Sequence, residues 1–64
     1  MNPAEKKLME AWELNQKAEH EILQALTDLK NPEAQYCPKD SITTATNLQT
    51  QSSIILDKAK TLIS

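Results

Sequence analysis

Alanine returns every seventh residue through the first half of the chain, at Ala4, Ala11, Ala18 and Ala25. Four residues after each alanine comes a second series, Leu8, Asn15, Ile22 and Leu29, also seven apart. Two series interleaved at 3–4 spacing trace one stripe along an α-helix. The pattern therefore predicts four heptads, with the large series at a and the alanines at d. The second half repeats the device, with Ala45, Ser52 and Ala59 as the small series and Leu48, Ile55 and Leu62 as the large one. A seam of small and large positions lets two helices approach closely, the large side chains of each sitting over the small ones of the other. The expected fold is all-α: an antiparallel two-helix hairpin on an alanine-rich coiled-coil seam.

Punctuation marks the ends of these elements. Asn2, Pro3 and Glu5 read as N-cap, first helical residue and capping-box acid, and no breaker follows until Asn31-Pro32. A residue before proline is pushed out of the helical region, so the first helix is expected over about 3–30. Pro32 and Pro38 bound a connection at about 31–40, after which Asp40 or Ser41 can cap a second helix running to about 63. Four threonines between Thr43 and Thr50 weaken the early part of that helix, but its apolar spacing continues unbroken into Ile54-Ile55-Leu56. The whole chain, 1–64, reads as a single helical-hairpin domain.

The apolar surface is wider than one seam. Met9, Trp12, Leu23 and Leu26 fall at positions b and e of the first helix, and Ile42, Leu56 and Ile63 widen the stripe on the second. A lone hairpin would leave these in water, although burying each is worth about 1.5–3 kcal/mol. Met9, Trp12, Leu23, Leu26, Leu56 and Ile63 are therefore the expected protein-interface residues. Two hairpins forming a dimeric four-helix bundle, or a hairpin docked on a partner protein, would both cover them. Asn15, polar at an a position, and Ser52, within the second seam, are candidates for setting the register of assembly.

Composition sharpens this expectation. Sixty-four residues are near the lower limit for an independent core, and the single cysteine, Cys37, cannot form an internal disulfide. The lone thiol and the absence of a signal-peptide pattern lead us to expect a cytoplasmic protein, and no apolar run approaches the roughly 20 residues of a membrane span. The net charge is −2, and all seven basic residues are lysines scattered among acids. That pattern argues against nucleic acid as a partner, since binders usually concentrate Arg and Lys in one patch.

Candidate chemistry is sparse. His20 falls at the outermost position of its heptad, and Lys17 stands where a bundle metal site would need a glutamate. Cys37 lies in the connection with no base expected in reach, and Tyr36 beside it is expected to pack over the hairpin end. Glu13 and Lys17 make a favourable i,i+4 pair on a solvated face. With no glycine there is no phosphate-cradling loop. We expect no enzyme activity, no cofactor, no metal and no small-molecule substrate. The expected role is stoichiometric protein binding, as a small adaptor, inhibitor or co-chaperone, with itself (a homodimer) or another protein as partner. A structural subunit of a larger helical assembly and a dimeric RNA-binding hairpin are the alternatives.

One stretch stands apart. From Ser41 to Leu56 the chain runs sixteen residues without a charge. Its outward positions carry short polar side chains, which can be buried with hydrogen bonds at far lower desolvation cost than Lys or Glu. Thr46, Thr50 and Ser53 are thus candidates for a second contact face.

Overall fold

A computed structural model of the chain describes residues 2–31, 33 and 38–63. Two helices, α1 (Pro3–Lys30) and α2 (Pro38–Ile63), pack against each other as a hairpin. Tyr36 and Cys37, for which packing and thiol chemistry were considered above, lie outside the described residues.

The start of α1 is held by its own first turn. Asn2 is extended, at φ −76° and ψ 163°, and its Oδ1 accepts the Glu5 backbone N–H at 2.8 Å. Its Nδ2 donates to the Glu5 carboxylate, also at 2.8 Å. The glutamate thus closes the box on the cap's side chain instead of its backbone N–H. At the other end Asn31 is extended, as the proline after it in the chain requires. Its N–H reaches back to the Asp28 carbonyl at 3.3 Å, and its Oδ1 accepts from the Glu33 N–H at 3.1 Å.

Helix α2 begins at Pro38, inside the segment expected to connect the helices, and three residues before the predicted start at Ser41. Proline suits a first turn because its missing N–H would have no partner there, and Asp40 in the same turn complements the helix dipole. The threonines persist in the helix by turning inward on themselves. Thr46 donates to the Ile42 carbonyl at 3.0 Å and Thr50 to the Thr46 carbonyl at 3.0 Å. Each hydroxyl is satisfied one turn back along its own helix, as are those of Thr27 and Thr61.

Among the described residues the buried ones are Ala11, Ala18, Ala25, Ala45, Ser52 and Ala59, all from the predicted small series, while its first member, Ala4 at the end of the rod, is only half-buried. The largest fully buried side chain among them is that of Ser52. Where facing positions carry only a methyl or a hydroxymethyl, two backbones can close on each other. The Ser52 hydroxyl accordingly donates to the Ala11 carbonyl on the other helix at 3.3 Å. Counting in opposite directions from that contact sets Ala18 level with Ala45, Ala4 with Ala59, and Ala25 with Pro38.

The large series behave differently from the prediction. Leu8, Asn15, Ile22 and Leu29 remain exposed, from 44% at Leu8 to 67% at Leu29. The half-buried row of α1 is instead the one on the other flank of the alanines: Lys7, Leu14, Glu21 and Asp28. On α2, Leu48 and Ile55 are half-buried as expected, whereas Leu62 stays exposed. The reason is geometric. Alanines facing alanines occupy the centre line, so both flanking rows become shoulders, and only one shoulder closes. On the closed side Leu14 shares a row with Glu21, and Glu21 and Leu48 line one shallow concavity.

The product is a rod of 50 × 17 × 11 Å with a radius of gyration of 14.9 Å, against about 11 Å for a compact chain of this length. Replacing Ala18 by Leu should prise the seam apart and cost about 1–3 kcal/mol of stability. Gln24→Ala, on the exposed surface, should stay within about 0.5 kcal/mol. Thermal melts followed by circular dichroism would show the contrast, and equal melts would mean that the seam does not require small residues.

Candidate interaction surface

The side of the hairpin that does not close collects the apolar residues of both helices. Ile22, Leu26 and Leu29 of α1 line one groove together with Ile42, Thr46 and Gln49 of α2. Two heptads away along the same rows lie Leu8 and Leu56, and Leu8 shares a concavity with Met9 and Trp12. At the end of the rod Leu62 and Ile63 flank Pro3 and Ala4. We call this side the open face. Trp12 is 59% exposed on it, and Leu26, Ile42 and Leu56 are each exposed by more than two-fifths.

Each residue named from the sequence can now be placed. Trp12, Leu26 and Leu56 sit on the open face; Met9 and Leu23 continue it around the outside of α1, and Ile63 extends it to the tip. Thr46 lines the same groove, one helical turn from Thr50 and one heptad from Ser53. The uncharged stretch therefore reaches the apolar face at Ile42, Thr46 and Gln49 and the opposite side at Thr44 and Leu48. Asn15 is exposed, in the row between Leu8 and Ile22. Ser52 is buried on the seam and bonds to Ala11, so Asn15 and Ser52 do not pair with each other.

Leu14 escaped the sequence reading. It sits at the heptad position just before Asn15, among Lys7, Glu21 and Asp28, so no apolar repeat marks its row. Its half-burial, like that of Leu48 and Ile55 on the other helix, comes from the packing of the two helices, which spacing along one helix does not show.

The opposite side is polar. Glu13, Lys17, His20 and Glu21 surround a shallow concavity bordered by Thr44 and Leu48, with His20 exposed at its edge. The ion pair that forms on α1 joins Lys7 to Glu10 at 3.7 Å, in place of the predicted Glu13–Lys17 pair. Both pairs would stand in water, where such contacts are worth only tenths of a kcal/mol and side-chain entropy decides between them. Among the described residues no three His, Cys, Asp or Glu side chains are grouped as metal ligands, and no helix is long and apolar enough to cross a membrane.

Comparison with known proteins yields no match among family models, curated proteins or solved structures.

The seam hydrogen bond makes its own prediction. The Ala11 carbonyl also lies within reach of the helical N–H four residues on, so losing the serine hydroxyl leaves no orphan. Ser52→Ala should therefore cost at most about 1 kcal/mol, whereas Ser52→Leu, which must fit beside Ala11, should cost more. Paired urea melts would measure both, and the reverse ranking would show that the hydroxyl matters more than the space.

Proposed function

We propose that this chain acts by stoichiometric protein binding through its open face, which another helical surface covers. The cover is supplied either by a second hairpin, giving a dimeric four-helix bundle, or by a partner protein. The observation that carries this reading is the inversion of the core. Among the described residues no side chain larger than serine is fully buried, while the Trp and most of the large aliphatic side chains stand outside, with the open face holding the greater part of them.

Area supports the same reading. The hairpin exposes 5108 Å², whereas a compact protein of 7.2 kDa exposes about 4,100 Å². The excess of about 1,000 Å² is comparable to the roughly 800 Å² that each partner contributes to a standard interface. The chemistry of the border fits as well. Thr46 and Thr50 have spent their hydroxyl donors on their own helix, so covering them leaves no unsatisfied donor.

Trp12 is the anchor on this reading. Trp12→Ala should weaken association by about 2 kcal/mol or more, some 30-fold in Kd, while leaving the helix signal in circular dichroism measurable. An unchanged Kd by sedimentation equilibrium would place the anchor elsewhere. Replacing Thr46, Thr50 and Ser53 together by Lys should also disrupt association, because three ammonium groups would have to be desolvated at the border. If assembly tolerated all three lysines, that border would lie in solvent.

A further inference from the structure

The open face is built in tiers. Measured from the Ala11–Ser52 contact, Leu8 comes level, to within one residue, with Leu56, Asn15 with Gln49, and Ile22 with Ile42. Ile22 and Ile42 do line one groove, as this register requires, and Gln49 stands beside them on the same row of α2 as Ile42. Along the rod the face thus reads aliphatic, amide, aliphatic, and the two helices change character at the same heights. One helix carrying a polar interruption could be an accident of composition. Two antiparallel helices carrying it at the same level, flanked by matching aliphatic pairs, form a layered surface.

We infer that the occupant of this face is a second copy of the chain, related by a two-fold axis running along the rod. The inference rests on the protein-binding reading above and names its partner. Such an axis keeps every residue at its own height, so each tier meets itself. Leu8 and Leu56 form one aliphatic layer with the same pair of the partner hairpin, and Ile22 and Ile42 form another. Between them, two Asn15 and two Gln49 side chains come together. Amides both donate and accept, so four of them can satisfy one another without water or any foreign group. A carboxylate or ammonium tier could not, since like charges would meet.

Charge selects this orientation over its rival. Turning the partner end for end about the amide tier would also match layer to layer, but it would set α1 against α1. Helix α1 carries four lysines against six acids, a net of −2, while α2 carries three lysines against two aspartates, a net of +1. With the axis along the rod, α1 of each copy lies on α2 of the other, and the signs oppose. The amide tier then acts as the register device, as single polar layers do in coiled coils: a slip of one heptad would bury amides against leucine and isoleucine.

Sedimentation velocity on the full chain tests this, comparing the wild type with Ile22→Asp and with the double variant Asn15→Leu/Gln49→Leu, each with circular dichroism. We expect a wild-type dimer of twice 7.2 kDa, loss of the dimer in Ile22→Asp, and a leucine-tier variant that associates more tightly but no longer stops at two copies. A wild type that stays monomeric at high concentration overturns the second copy. If that monomer is helical and binds an apolar dye that Trp12→Ala abolishes, the protein-binding reading stands without it. A wild-type dimer unaffected by both Ile22→Asp and Trp12→Ala overturns both, because association would then not use this face. A double variant that remains a strict dimer of unchanged affinity overturns the role given to the amides.

Discussion

Two backbones can lie close together only if nothing larger than a methyl or a hydroxymethyl stands between them, and that steric condition governs this molecule. It is met at Ala11, Ala18 and Ala25 on one helix and Ala45, Ser52 and Ala59 on the other. Every other property follows from how those residues occupy the centre line. With small side chains in the middle, the large ones are displaced to the shoulders, and a hairpin has two shoulders. One closes modestly over Leu14, Leu48 and Ile55. The other gathers Leu8, Trp12, Ile22, Leu26, Ile42 and Leu56, and remains open. The close seam and the exposed apolar face are thus two results of a single packing choice.

Much of this was legible from spacing alone. The seven-residue alanine repeat foretold the buried Ala11, Ala18 and Ala25, though not that Ala4 at the rod's end would be only half-buried, and the Asn2-Pro3-Glu5 start foretold the cap. What spacing could not decide was which shoulder would close. In a heptad frame the positions before and after d are equivalent until a partner helix breaks the tie. The apolar row through Leu8, Ile22 and Leu29 looked the stronger candidate, yet the half-buried row runs through Leu14 among charged neighbours. Lys7, Glu21 and Asp28 can occupy a shoulder because their stems cover the seam while their heads reach water. The early start of α2 at Pro38 was missed for a related reason, since a proline can either open a helix or precede one.

The uncharged stretch from Ser41 to Leu56 changes meaning once the threonines are seen bonded to their own carbonyls. Helix propensity counts Thr46 and Thr50 as poor choices. In place, their hydroxyls are directed back along the helix, and these two threonines present neither charge nor a free donor. Thr46 lines the groove of Ile22, Leu26 and Ile42 and forms part of its margin.

Burying methyl groups and backbone, as the seam does, removes little apolar area from water, so closing the hairpin changes heat capacity only slightly. The stability of the seam should consequently vary gently with temperature. Covering the open face, with its tryptophan and long aliphatic side chains, belongs to the opposite regime, in which the driving force fades on cooling. On the proposed reading, the seam and the cover of this small rod would therefore answer to temperature differently. In the cold the cover would loosen first, while the two helices stayed joined.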